Sequence, residues 1–519
     1  MRDVQTHQFS QIEGNSVPRT SFDRSHGHKT TFNASDLVPI FIDEAVPGDR
    51  FNLNMSAFAR LATPIFPIMD NMKMESFFFS VPYRLIWDNF QKFMGEQLNP
   101  GDSTDFLIPQ LTAPVGGHIE GSMADHFGFP TQVDITHSAL YQRAYQLVYN
   151  EWFRDENLRP AFTLSTGDGP DTSTAAMQVR GKRKDYFTSC LPWPQKGPDV
   201  TLSLGTSAPV IGDASATAIT LERGGTTGAM GIASGGNVQM ITGSYSTGTA
   251  GFADGVNQGL EANLTAATAV TINQLRLAAT VQHMFERDAR GGTRYTEITR
   301  SHFNVVSADQ RLQRPEFLGG GSTPVNISPI PQTSSTDGTS PQGNVAALGT
   351  VNLSGHGFTT AFTEHCLVIG LVSVRSDITY QQGLDRMHSR ETRHDHYFPA
   401  FANIGEQAVL NKEIYADGSA NDDDVFGYQE RWAEMRVKNS TISGAMRSNA
   451  ATSLDPWHLS ENYLTLPVLG STFIKDATDG ILSRAIAVPS EPQFIFDSWF
   501  SYKCARPLPR FSTPGIDRL

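Results

Sequence analysis

From Phe51 the chain alternates. Phe51, Leu53, Met55, Ala57, Ala59 and Leu61 are separated by Asn52, Asn54, Ser56, Phe58 and Arg60. A period of two sends successive side chains to opposite faces, so the segment predicts a half-buried strand. Pro64 and Pro67 then break it. Met72 to Tyr83 opens with the same alternation but is apolar on both faces at Phe77, Phe78 and Phe79. A central strand covered on both sides has this pattern. Cys366 to Val374 is continuously apolar and predicts another such strand. Phe494, Phe496, Phe500 and Tyr502 alternate with Ile495, Asp497, Trp499 and Ser501, which predicts a long terminal strand. Tyr428 to Val437 mixes Trp432 and Met435 with Glu430, Arg431, Glu434 and Arg436. Charges on both faces suit an edge strand or a subunit contact.

Two segments carry helical spacing instead. Leu140, Ala144, Leu147, Val148 and Trp152 recur at three and four residues, with Tyr141, Tyr145 and Tyr149 as the adjacent stripe and Pro160 as a boundary. A second helix is expected from Asn273 to Arg290, with Leu277, Val281, Met284 and Phe285 as its buried stripe, Asn273 as its cap and Gly291 at its end. The strands are scattered and separated by long insertions, so their pairing is non-local and antiparallel. The expected fold is mainly β, a β-sandwich or jelly roll with elaborated loops and a few helices.

Composition refines this picture. Hydrophobic residues make up 39% of the 519-residue chain and charged residues 18%, so turn and loop residues are abundant. Between Gly197 and Ala269, Gly, Ala, Ser and Thr dominate. Short apolar pieces such as Asn237 to Thr242 read as brief strands of an ordered surface excursion; a disordered linker is the alternative. The expected organisation is an extended N-terminal arm at 1–30, the first part of the core at 31–196, a surface insertion at 197–272, the rest of the core at 273–502, and a basic tail at 503–519. Nothing in the first twenty residues resembles a signal peptide, and the run at Cys366 is too short for a membrane helix. Cys190, Cys366 and Cys504 are far apart, which suggests neither a disulfide framework nor a zinc knuckle.

The net charge of -13 argues against a general nucleic-acid binder but allows local basic patches. Arg19, Arg24 and Lys29 in the arm and Lys503, Arg506 and Arg510 in the tail are the candidate nucleic-acid contacts. The densest basic cluster is Arg180, Lys182, Arg183 and Lys184, read either as phosphate contacts or as a solvated loop. His394 and His396 would share one face of a strand and could chelate a metal, though surface histidines explain them more simply. Asp422, Asp423 and Asp424 lack the spacing of a calcium loop and read as a solvated acidic turn. No Walker loop, H-E-x-x-H helix or G-x-S-x-G elbow is present. No cofactor, metal or catalytic site is expected.

Several long segments resemble gokushovirus major capsid proteins, of the Microviridae. They are the stretch from SFDRSHGHKTTF to VPYRLIW at 21–87, DYFTSCLPWPQKGP at 185–198, FERDARGGTRY at 285–295, RLQRPEFLGG at 311–320, FPAFANIGEQAVLNKEIY at 398–415, and FGYQERWAEMRVKNSTISGAMRS at 426–448. His394 and His396 depart from the aromatic-rich pattern expected there, whereas Phe398 fits it. The resemblance implies a single eight-stranded antiparallel jelly-roll barrel with long loop insertions and a few helices, in a structural protein of the virion assembled in the bacterial cytoplasm, with sixty copies in a T=1 shell around circular single-stranded DNA. It implies an insertion that projects at the threefold axes, where 197–269 sits, as a candidate for host attachment to a surface receptor. It also implies an internal scaffolding protein during assembly. Enclosing DNA within acidic subunits calls for inward basic groups and a small basic DNA-associated protein. Trp432, Arg436 and Trp457 are candidate subunit contacts, because aromatic and Arg residues favour interfaces, with core burial the alternative for both tryptophans. A receptor-binding spike and a β-sandwich carbohydrate hydrolase are the competing readings.

Overall fold

The computed structural model describes residues 19–172, 174–201, 271–338 and 341–511, together with short strands between 210 and 262. Strand makes up 31% and helix 21%, so the chain is mainly β. The strands of the two larger sheets are β1 (Thr20–Asp23), β2 (His26–Phe32), β3 (Val38–Ala45), β4 (Arg50–Leu61), β5 (Met72–Pro82), β6 (Glu316–Pro324), β7 (Asn326–Pro331), β8 (Val345–Ala361), β9 (Cys366–Ser376) and β10 (Phe494–Arg506). One sheet runs β1-β10-β4-β8-β7, with β2 following β1 along the same edge of β10; the other runs β6-β5-β9-β3. Every neighbour in both is antiparallel.

The hydrophobic patterns follow from what covers each face. Every second residue of β4, from Phe51 to Leu61, is buried, and its alternate residues are exposed. β10 does the same from Phe494 to Cys504. Their inner side chains meet those of the other sheet: Phe41 lies 5.2 Å from Phe500, and Phe78 lies 5.5 Å from Phe358, between ring centroids. Each fully buried aromatic of this kind stabilises the fold by about 1.5–3 kcal/mol relative to exposure. Gly370 in β9 permits the approach, since a Cβ there would stand 2.7 Å from the Phe78 ring and 2.8 Å from Phe41 Cβ.

β5 and β9 are apolar on both faces because the outer face of their sheet is also covered. Met74, Phe78, Val368, Val372 and Val374 belong to the core between the sheets. Phe79, Val81, Leu367, Ile369 and Leu371 belong to a second core that they share with helix α1 (Leu140–Val148) and Trp87. The helix continues as a wider turn over Tyr149–Phe153, which carries the expected Trp152. Tyr145 is fully enclosed and donates its hydroxyl hydrogen to the Leu37 carbonyl at 2.8 Å. A third core, built from short strands, a helical turn and the segment at 186–190, gathers Tyr186, Phe187, Tyr380, Val409, Phe426 and Phe473.

The segments read as arm and tail contain strands. Thr20–Asp23 and His26–Phe32 both pair with β10, whose last residues are Lys503–Arg506. Residues 1–18 and 512–519 of those segments lie outside the described residues.

The chain divides into two compact units, 195–290 and the remainder. Within the smaller unit Ile219–Arg223 pairs with Thr226–Ile232, which pairs in turn with Val238–Met240, inside the expected brief strand at 237–242. Gly251–Phe252 pairs with the first of these, and Val210–Gly212 pairs with Leu260–Ala262. The remaining positions of 202–270 lie outside the described residues. Helix α2 (Ile272–Gly291) forms where expected, but Asn273 does not cap it. Thr271 does: its Oγ1 accepts from the Gln274 amide at 3.2 Å, and Gln274 Oε1 accepts from the Thr271 amide at 2.9 Å, a reciprocal capping box. Leu277 and Met284 of the expected buried stripe are exposed.

The segment Tyr428 to Val437 is not one strand. Its strand ends at Glu430; Trp432 takes a left-handed backbone with φ of 67°, and Ala433–Arg436 form a single helical turn. Among the described residues no helix is long and apolar enough to cross a membrane.

Candidate functional site

Of the basic residues near the two ends, two converge. Arg24 and Arg506 both approach Asp43, Arg24 by a direct ion pair and Arg506 at 3.8 Å, and Arg506 also pairs with Asp49 at 3.0 Å. Tyr502 donates to Asp43 at 2.6 Å, and burial together with that carboxylate pushes the phenol above its ordinary range. The Arg24 guanidinium lies over Tyr502 and that of Arg506 over Phe51, each at 5.4 Å. These two cations are therefore engaged in closing the edge of the sheet. Lys29 makes a looser, exposed pair with Asp497 at 3.6 Å, of the kind that contributes little to stability. Arg19, Lys503 and Arg510 are exposed.

The cluster at 180–184 is neither a phosphate site nor a solvated loop. Arg180 and Lys182 are buried. Arg180 and Arg375 bind Glu75 at 2.5 and 2.8 Å, Arg183 reaches Glu75 and Asp377, Lys182 binds Glu461 at 2.6 Å, and Lys184 pairs with Asp155. Burial works against ionisation of Glu75, but the charges of Arg180 and Arg375 outweigh it and hold the carboxyl down at about 2. The network ties the loop at 180–184 to β5 and β9.

The metal candidates dissolve in the same way. His394 lies in a short turn, Arg393–Asp395, with His396 just beyond, rather than on a strand. Asp395 accepts from the Thr392 amide at 2.7 Å and closes that turn. Asp422 accepts from the Gly418 amide at 3.0 Å, and Asp423 binds Lys412 at 2.6 Å, so this acidic turn is organised by its own chain. Among the described residues, no group of three or more His, Cys, Asp or Glu side chains is placed to hold a metal ion. Cys190, Cys366 and Cys504 are buried and unpaired with one another.

The three residues expected at contacts occupy different surroundings. Trp432 is only 4% exposed, and its indole donates to the Phe401 carbonyl at 3.1 Å. Trp457 is half-buried and stacks on Phe66 at 5.4 Å. Arg436 is half-exposed and pairs with Glu430.

The alternation of β4 and β10 also turns a second set of side chains outward, away from the core. Their outward residues form one open sheet face. Register places Lys29, Asp497 and Phe58 in one row, Thr31, Ile495 and Arg60 in the next, and Gly27, Trp499 and Ser56 on the other side. Phe58 is 47% exposed, Ile495 59% and Trp499 55%.

Residues 10–516 match the family model described as capsid protein (F protein). Over 98% of its length the chain is 47% identical to the capsid protein VP1 of Bdellovibrio phage phiMH2K, covering 97% of that protein. It is 42% identical to the capsid protein VP1 of Chlamydia phage 1, with 99% of this chain and 98% of the relative covered. It is 38% identical to the capsid protein VP1 of Spiroplasma virus 4, with 100% and 99% covered.

Proposed function

Because the chain belongs to the capsid protein (F protein) family, as a gokushovirus-type structural protein of the phage virion, we propose that it builds its shell as a jelly-roll subunit, sixty copies closing a T=1 particle around single-stranded DNA. The single observation that carries this reading is full-length similarity to three VP1 proteins, at 38–47% identity. Two antiparallel sheets around one core support the jelly-roll assignment, with β6-β5-β9-β3 on one side and β1-β10-β4-β8-β7 on the other. Long loops that are unusual for an isolated monomer gain partners in a closed assembly of identical subunits. Exposed apolar side chains such as Leu107, Val115, Leu464 and Val468 supply surface for such contacts.

The insertion at 197–272, which falls within the smaller unit 195–290, is the projecting element, grouped about the threefold axes and presented to a host receptor. Arg436 and Trp457 lie at subunit contacts, whereas Trp432, 4% exposed, takes the alternative role of a core residue. An internal scaffolding protein assists assembly. A net charge of -13 per subunit makes a small basic DNA-associated protein a required partner, because a like-charged shell and genome repel. The chain has no catalytic role. Electron microscopy of particles, combined with subunit stoichiometry, tests this reading: the chain should be the dominant component of small closed icosahedral shells. A minor component at isolated sites would identify a spike instead.

A further inference from the structure

Resting on that reading, we infer that the open face of the β1-β10-β4-β8-β7 sheet binds single-stranded DNA, with bases stacking on Trp499 and Phe58 and the phosphates held by Arg60, Arg50 and Lys503. The face is unusual for an exposed sheet surface, because two exposed aromatic rings, with Ile495 beside them, are interleaved with cations. Register sets Phe58 opposite Asp497 and Trp499 opposite Ser56, so the two rings occupy diagonal positions on adjacent strands. Diagonal neighbours stand about 7–8 Å apart, within reach of one another's side chains. Gly27 is the register partner of Trp499, and its position lies against the indole: a Cβ there would make ordinary contact with the ring at 3.6 Å. The indole thus lies along the neighbouring strand while remaining 55% exposed.

The charges fit an anionic strand. Arg50, Arg60, Lys29 and Lys503 line this face, against Asp23 and Asp497. Lys29 answers Asp497, and Lys503 lies beside Asp23. Among the described residues Arg50 and Arg60 have no carboxylate partner, so two positive charges remain available on a chain that is strongly acidic overall. Asn52, Asn54, Ser56 and Asn352 are exposed between them and offer hydrogen bonds to base edges and sugars. Aromatic platforms set in a cationic surface are how proteins bind unpaired strands with little sequence preference. A duplex keeps its bases stacked on one another and offers no base face to these rings.

The test uses the purified full-length chain and a fluorescent single-stranded oligothymidylate, with a duplex of equal length as comparison. Stacking on an aromatic is sequence-tolerant, so oligothymidylate is a fair probe. The double variant Trp499→Leu, Phe58→Leu keeps apolar bulk but removes both rings, and should weaken single-strand binding roughly tenfold or more. Trp499→Phe should bind nearly as the parent does. Arg60→Gln should flatten the dependence of affinity on salt by about 0.7 in the logarithmic slope. Photocrosslinking of bromodeoxyuridine-substituted single strands should map to Trp499 or Phe58. The inference is overturned if the double Leu variant binds as tightly as the parent, or if duplex is held equally well. It is also overturned if the variant loses assembly with DNA affinity unchanged, since the occupant is then a protein. Particle formation is scored separately: closed, DNA-filled shells in which these residues neither crosslink nor affect binding overturn the inference and leave the capsid reading intact.

Discussion

His356 Nδ1 lies 2.8 Å from Ser76 Oγ, 280 residues away in sequence, and joins the two sheets across their shared core. His356 sits where β8 slips register against β4, between Leu353 and His356. Its other ring nitrogen meets Thr323 Oγ1 at 3.0 Å. One imidazole therefore satisfies a hydroxyl from β5 and another from β6. Ser76 is fully enclosed, so no solvent can replace this partner.

His356→Ala should leave the Ser76 hydroxyl buried without a partner and lower stability by about 1–3 kcal/mol, measured as a drop in the denaturation midpoint. The effect depends on pH. Burial pulls the His356 imidazolium below its ordinary value of 6.5. The folded protein then holds the neutral ring while the unfolded chain takes up a proton as pH falls. The contribution of His356 is fully present above about 6.5 and declines on acidification. The gap between the parent and His356→Ala should narrow between pH 7.5 and pH 5.

Glu75 gives the opposite chemistry at lower pH. Removing its charge in Glu75→Gln leaves Arg180, Arg375 and Arg183 facing one another in a buried site, at a cost of about 3–5 kcal/mol. Because the carboxyl is held down at about 2, its stabilisation is present above the ordinary 4.5 and is lost as pH falls toward 2. Urea titrations of both proteins at pH 7 and pH 3 should show a smaller difference at the lower pH.

Gly370→Ala should be destabilising although alanine is the smallest possible change. The added methyl meets Phe78 and Phe41 at under 3 Å, and overpacking of this kind costs about 1–3 kcal/mol. Thermal unfolding of the variant should begin below that of the parent.

Deletion of residues 205–262 should leave the larger unit folded, because the two units are separate clusters of contacts. Circular dichroism and protease resistance should retain a β-rich core, while attachment of particles to host cells falls. Collapse of the core on deletion would contradict the excursion reading.

The sequence revealed those parts of the fold whose cause is local or periodic. β4 and β10 alternate because one side of each faces the other sheet. β9 does not alternate because a second core covers its other side. The helix at Leu140 was legible from its stripe for the same reason. Distant pairing was not legible. The cluster at Arg180 looked like a basic patch because Glu75, Asp377 and Glu461 reach it from other parts of the chain. Trp432 looked like a strand residue because no pattern announces its left-handed backbone. Arg24 and Arg506 looked like free cations of two chain ends because their shared carboxylate, Asp43, is brought to them only by sheet pairing. The one local signal for the open face was Phe58 and Trp499 on the polar side of their alternations.

The central claim is that this chain closes into a shell of its own copies. The most direct measurement is cryo-electron microscopy of particles from cells expressing it with the other virion proteins of its phage, with the copy number read from the reconstruction. Closed icosahedral shells whose continuous wall is sixty copies of this chain are the expected result. A wall built from a different protein, with this chain unassembled or confined to a few isolated positions, would contradict it.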